Sequence, residues 1–232
     1  ATNRPLYFCD FLRRDVINEE GIVEVEAERV YEAINDIEAL RARCYELLTF
    51  YNTQYPAKKM NLVLFDDALK HLLRVSRIIK MPRSSGLLVG VGGSGKQSLT
   101  RLAAYIGKNV TYQIRITKNF SDKDLKEELK SLMEITGHQG KPTTFILTDA
   151  EVKQEGFLEY INMVLSTGEI PGLIAKDEKE LWLGNLRTFY VKEKQLGNVD
   201  PPQAELYQYF LDRLRDNLHI VLCFSPVVPK FR

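Results

Sequence analysis

Residues 86–99 read GLLVGVGGSGKQSL, and the fold follows from how that stretch is parsed. Leu87 to Val89 are an apolar run of the length of a short buried strand. Glycines follow at Gly90, Gly92, Gly93 and Gly95, then Lys96, and from Leu99 onward Leu102, Ala103 and Ile106 recur at helical spacing. Strand, glycine loop and helix in that order make a phosphate-binding arrangement. Glycine admits the positive φ that turns successive N–H groups onto one anion. The N-terminus of the helix adds the positive end of its dipole. Lys96 stands where an ammonium reaches the β- and γ-phosphates as a point charge.

From Gly90 through Lys96 the chain fits the P-loop pattern G-x-x-x-x-G-K-[ST] with one departure. The last place holds Gln97, and the first hydroxyl comes one residue later, at Ser98. In P-loop NTPases that hydroxyl holds Mg²⁺. Here either the Gln97 amide oxygen or the Ser98 hydroxyl, rotated around the helix, must serve, which argues for nucleotide binding more than for turnover. Gly90 to Ser98, including Val91 and Ser94, are therefore the candidate cradle for ATP or ADP, with Gln97 and Ser98 as candidate Mg²⁺ ligands. A glycine-rich turn with an incidental lysine would not explain why a strand and a helix flank it on the correct sides. The same residues satisfy G-x-G-x-x-G at Gly90, Gly92 and Gly95, but a dinucleotide site needs an acid at the end of the next strand. The next apolar run, Tyr112 to Ile116, ends in Thr117 and Lys118.

With 232 residues, the chain is long enough for one large domain or a domain with an appendage. A net charge of +1 gives no electrostatic case for nucleic acid or an anionic membrane. No apolar run approaches the roughly 18 residues of a membrane span. The first residues, ATNRPLYFCDF, lack a signal-peptide pattern. Cys9, Cys44 and Cys223 are widely spaced, so neither metal spacing nor a disulfide framework is present, and a reducing compartment is expected.

Residues 1–60 are rich in helix formers, with a brief strand expected at Ile22, Val23 and Val25. From Glu26 the positions Val30, Ile34, Ile37, Leu40, Cys44 and Leu47 keep helical spacing. A second helix is expected over 61–82, ended by Pro82. In P-loop ATPases of the AAA+ type the segment before the phosphate loop covers the adenine, which makes Leu62 and Val63 base-stacking candidates, with simple core packing as the alternative. After the loop, strand and helix alternate. Tyr112 to Ile116 reads as a strand, Asp122 to Leu132 as a helix capped by Ser121, and Thr143 to Leu147 as a buried strand ending in Thr148-Asp149. An acid at that strand end is where a Walker B carboxylate sits, in a pattern of four apolar residues, then Asp, then Glu. If Thr144 to Leu147 are the four, Thr148 replaces the Asp and Asp149 the Glu. If the register slips by one, Asp149 is the Mg²⁺-side acid and Ala150 replaces the Glu. Either way one acid is missing, and Asp149 is a methylene shorter than Glu, so slow or absent hydrolysis is expected. A helix from Phe157 to Leu165, an irregular insertion over 173–203 and a helix from Glu205 to Leu214 follow. Leu218 to Phe224 is a strong apolar strand, and Ser225 at its tip occupies the place of a polar sensor near the γ-phosphate. The chain stops at Lys230-Phe231-Arg232 with no closing strand or helical lid, as expected of an excised fragment.

Nearly the whole chain resembles the dynein heavy chain family, specifically the fourth AAA+ module of its motor ring, in an axonemal form. The resemblance is carried by NRPLYFCDFL, MNLVLFDDALKHLLRVSRI, LLVGVGGSGKQSLTRLAAYI, FLEYINMVLSTGEIPGL and LHIVLCFSPVVPKFR. It implies an α/β P-loop fold of AAA+ type, a parallel sheet flanked by helices, with an N-terminal helical extension (1–60) before a partial AAA+ large subdomain (61–232). It implies a regulatory ATP/ADP site in a microtubule motor whose principal hydrolysis belongs to another module. Its partners would be the other AAA+ modules of the same chain, other dynein chains and microtubules, in the cytoplasm, the cytoskeleton and the ciliary axoneme. Carried over residue by residue, Gly90 to Ser98 hold phosphates with Mg²⁺, Asp149 is the residual Walker B acid and Ser225 the sensor. Arg232 falls where the family places residues reaching toward a neighbouring module's nucleotide. The alternative is a purely structural ring module with an empty, degenerate loop, for which Gln97 and Thr148 speak.

Overall fold

A computed structural model describes residues 7–18, 23–152, 156–197 and 200–226. The chain divides into two compact units, one of Ala1–Arg77 with Gly95–Gly107 and one of Ile78–Ser94 with Lys108–Arg232.

In the first unit, β1 (Tyr7–Cys9), β2 (Val16–Ile17), β3 (Val23–Val25) and β4 (Glu32–Ile34) form two antiparallel pairs, β1 with β4 and β2 with β3. Helices α1 (Ile37–Gln54), α2 (Asp66–Ile78) and α3 (Lys96–Ile106) follow. The helical spacing that begins at Glu26 is therefore realised only from Ile37. Asp36 stops it short: its carboxylate accepts from Glu38 N at 2.8 Å, a helix start. The preceding Glu32–Ile34 instead pairs with Tyr7–Cys9, a partnership far away in sequence. Arg43, buried in α1, donates to the Phe11 and Arg13 carbonyls at 3.1 and 3.2 Å and ties the N-terminal segment down. The second helix begins at Asp66, not at 61. Residues 60–65 run extended along α1, with Met60 N donating to Asn52 Oδ1 at 2.8 Å and Leu64 N to Tyr45 Oη at 3.0 Å. Tyr51 of α1 meets Tyr105 of α3 edge to face, ring centroids 5.4 Å apart.

The second unit is built on a parallel sheet of β5 (Gly86–Val89), β6 (Val110–Tyr112), β7 (Thr143–Thr148) and β8 (Leu218–Phe224), in the order β5-β8-β7-β6. Helices α4 (Asp122–Met133), α5 (Gly156–Thr167), α6 (Lys176–Glu193) and α7 (Gln203–Asn217) complete it. Parallel strands are buried on both faces and read as continuous apolar runs, and all six residues of β7 are buried. Phe145 and Leu147 of β7 share one face with Leu218, Ile220 and Phe224 of β8, since Phe145 pairs with Ile220 and Leu147 with Leu222. That face packs on Leu125 and Leu129 of α4, Ile161 of α5, Leu186 of α6 and Phe210 of α7. The expected cap of α4 is present as a full capping box, with Ser121 and Asp124 bonded reciprocally.

Two expectations for this unit are corrected. The strand expected over Tyr112–Ile116 is Val110–Tyr112, because its register is set by Thr143–Phe145 of β7. Beyond Tyr112 the chain leaves the sheet, and Ile114 turns into the core as an irregular segment. The stretch 173–203 holds the 18-residue helix α6. Its Trp182, Leu183 and Leu186 are buried in the core, and the Glu178 carboxylate reaches back to Ala175 N at 3.4 Å. Cys9, Cys44 and Cys223 are buried and in no disulfide among the described residues, and burial foremost pushes the Cys44 thiol up to about 12, so it is a packing residue. No helix among the described residues is long and apolar enough to cross a membrane.

Candidate functional site

The phosphate loop leaves β5 at Gly90, whose N–H donates to the Phe224 carbonyl of β8 at 3.1 Å. Ser94 N returns to the Val91 carbonyl at 3.3 Å, a tight turn. Gly93 and Gly95 are left-handed, at φ +77° and +79°, a conformation that costs an L side chain about 1–2 kcal/mol. Gly95 is the N-cap of α3 and offers no side chain to its first turn; Leu99 N donates to the Gly95 carbonyl at 2.8 Å. A helix start capped only by glycine leaves its first N–H groups to other acceptors, the setting that suits an anion. At Gly92 no atom of the described residues beyond its chain neighbours lies within 4 Å of where a Cβ would stand. Val91 to Ser94 are exposed, and Gly95 to Ser98 are half-buried. Within α3, the Arg101 guanidinium approaches Gln97 Oε1 at 3.4 Å, so the amide oxygen considered for a metal has a competing partner.

Leu62 and Val63 are not core. Val63 is 74 % exposed, while Leu62 is half-buried with its Cδ2 3.7 Å from the position of a Cβ on Gly95. Both sit in the extended segment before α2, and Leu62 borders the end of the phosphate loop.

At the carboxyl end of the sheet, β7 finishes in Thr148 and the chain turns through Asp149, Ala150 and Glu151, with Glu151 N donating to the Thr148 carbonyl at 3.1 Å. Asp149 Oδ2 accepts the Ser225 N–H at 2.7 Å, which brings these two residues together at the tips of neighbouring strands. Asp149 Oδ1 is buried without a hydrogen-bond partner among the described residues. The sequence reading missed a second acid here. Glu151 is 7 % exposed, and its Oε2 accepts from Thr148 N at 2.7 Å and from the Thr148 hydroxyl. Its Oε1 accepts from Gln113 Nε2 at 2.8 Å, just past the end of β6. The signal was present: Thr148-x-x-Glu151 has the spacing of a capping box, in which the acid reaches back to the first N–H. Gln113 carried no such signal, since its partner lies 38 residues away.

The donor chemistry fits a magnesium ion accompanying a polyphosphate. Asp149 offers a carboxylate oxygen, a hard ligand, and Mg²⁺ is held by one or two carboxylates together with substrate phosphates. Among the described residues no group of three or more His, Cys, Asp or Glu could hold an ion unaided. Arg232 lies outside the described residues. A separate cavity of about 510 Å³ in the second unit is lined by residues such as Arg83, Tyr190 and Tyr209 and includes none of the loop or strand-tip residues. Several of its polar groups pair with one another: Arg83 pairs with Asp212 and Asp216 at 2.7 and 2.9 Å, and the Tyr209 hydroxyl donates to Glu193 at 2.6 Å.

Residues 60–232 match the family described as the P-loop containing dynein motor region D4. Over 230 residues the chain is 46% identical to dynein axonemal heavy chain 5 of Mus musculus, covering 97% of this chain and 5% of that protein. It is 44% identical over 229 residues to the dynein gamma chain of the flagellar outer arm of Chlamydomonas reinhardtii, covering 98% of this chain and 5% of that one. Dynein axonemal heavy chain 8 of Homo sapiens is 43% identical over 233 residues, covering 97% and 5%. The chain thus spans a small fraction of the length of these relatives.

Proposed function

The chain belongs to the family of P-loop dynein motor region D4, and from that premise we propose that it is a regulatory nucleotide-binding module of a dynein heavy chain. In this reading it works in a microtubule motor of the ciliary axoneme, beside the other AAA+ modules of the same chain and other dynein chains. Residues 1–60 link it to the preceding module, and 61–232 form the AAA+ P-loop domain. Gly90 to Ser98 hold the phosphates of ATP or ADP, with Lys96 as the charge on the β- and γ-phosphates. Leu62 and Val63 border the base. Asp149 supplies the carboxylate for Mg²⁺, assisted by Ser98 or Gln97, and Ser225 is the polar sensor.

The observation that carries this reading is the loop itself: two left-handed glycines and a glycine-capped helix directly after a parallel strand. Bound Mg²⁺ would neutralise phosphate charge. The protein's own part is to bind, orient and exclude water. Hydrolysis is expected to be slow or absent, because Ala150 follows Asp149 and the next acid, Glu151, has both oxygens engaged by Thr148 and Gln113. A base must reach the attacking water, and Glu151 is turned onto Thr148 and Gln113 instead.

The approach of Arg101 to Gln97 favours a second reading, a structural ring module with an empty loop. Equilibrium binding of a fluorescent ATP analogue separates the two. Saturable binding that Lys96→Ala abolishes supports the nucleotide site. No saturable binding at millimolar nucleotide supports the empty one.

A further inference from the structure

We propose that Glu151 and Gln113 are positioning residues that fix the orientation of the Asp149 carboxylate, and so set the affinity of this site for Mg²⁺-nucleotide rather than for nucleotide alone. The inference rests on the phosphate-site reading above. Burying a carboxylate is costly unless its lone pairs are met, and every group meeting Glu151 belongs to the sheet's carboxyl edge. Thr148 gives its N–H and its hydroxyl to one oxygen, and Gln113 gives an amide N–H to the other. The Thr148 hydroxyl, donating to Glu151, accepts in turn from Ala150 N at 3.3 Å. With Glu151 N on the Thr148 carbonyl, residues 148–151 are locked as one turn. Asp149 occupies the first of its two central positions. Ser225 N then takes Oδ2, leaving Oδ1 buried and unpartnered among the described residues.

The chain of bonds runs from the end of β6 through the tip of β7 to the tip of β8. It determines which carboxylate oxygen remains for a cation. A buried acid that bonds neutral donors through both of its oxygens is built to hold a turn. Groups that orient a metal ligand from behind commonly change metal affinity by 10–100-fold when removed.

The test uses the native full-length chain, with Lys96→Ala as the blank that isolates this site. Fluorescent ATP analogue is titrated in EDTA and across a Mg²⁺ series. Glu151→Ala is expected to raise the Mg²⁺ midpoint by about 10-fold while leaving EDTA binding unchanged, with Gln113→Ala shifting it the same way by less. Glu151→Gln, which can restore all the bonds if Gln113 turns its amide over, is expected to stay near wild type. An unshifted midpoint in Glu151→Ala, or an equal loss with and without Mg²⁺, overturns the proposal. So does a Glu151→Gln variant that binds Mg²⁺-nucleotide normally but loses a hydrolysis that wild type has, since Glu151 would then be the base. Absence of Lys96-dependent binding in wild type would sink the phosphate-site reading, and the positioning role with it; the other overturning results leave that reading standing.

Discussion

Gly92 and Gly95 lie three residues apart in the phosphate loop, yet they are glycines for different reasons, and substitution separates them. At Gly95 the backbone sits at φ +79°, and the nearest atom to a new Cβ is Leu62 Cδ2 at an ordinary 3.7 Å. Gly95→Ala should therefore destabilise the fold by about 1–2 kcal/mol through strain alone. At Gly92 nothing among the described residues meets a Cβ and φ is not left-handed. Gly92→Ala should leave stability unchanged or slightly raised, yet weaken nucleotide binding by placing a methyl where phosphate approaches the backbone. Urea unfolding and nucleotide titration of the two variants check the contrast. His219, 3 % exposed in β8, places Nδ1 2.9 Å from the Ser84 carbonyl. Burial foremost holds its pKa below the ordinary 6.5, against the opposing pull of that carbonyl. The unfolded chain then takes up the proton first as pH falls below 6.5, so stability is full above that value and declines beneath it. Unfolding free energies measured from pH 7.5 down to 5.5 should show this slope, and His219→Gln should flatten it. At this scale Asp149 and Ser225 were legible because each ends an apolar strand. Glu151 was only half legible, because its capping-box spacing from Thr148 is in the sequence but Ala150 breaks the expected acid pair and the bond from Gln113 leaves no local mark.

Helix α6 shows where an element escapes its sequence. Its 18 residues carry charges on most sides and a glycine in the middle, so the local pattern reads as irregular. What makes it a helix is burial of one short stripe, Trp182, Leu183 and Leu186, in the core of the second unit. Trp182 lies against Phe210 of α7, ring centroids 5.7 Å apart. Trp182→Ala should cost about 3–5 kcal/mol. Gly184, exposed on the same helix with open space around it, should behave oppositely: Gly184→Ala should stabilise by about 0.5–1 kcal/mol. Thermal unfolding of both variants tests whether α6 is an integral part of the core. Strands β7 and β8 were legible because a strand buried on both faces is written as an unbroken apolar run, whereas β6 was misplaced because its register is dictated by β7. The start of α1 slipped for a related reason: a strand pairing with Tyr7–Cys9 overrides helical spacing in 32–34.

For the molecule as a whole, one motif carried the fold class. A parallel sheet ordered β5-β8-β7-β6 places the start of the phosphate loop, Asp149 and Ser225 at the carboxyl ends of β5, β7 and β8. Open parallel sheets bind ligands at that edge. In the proposed function this loop, in the native motor, carries a nucleotide held through Lys96. The most direct measurement purifies the native full-length heavy chain, wild type and Lys96→Ala, denatures each, and quantifies the nucleotide released. The variant is expected to release less, by about one equivalent per chain. Equal release from the two proteins would contradict it.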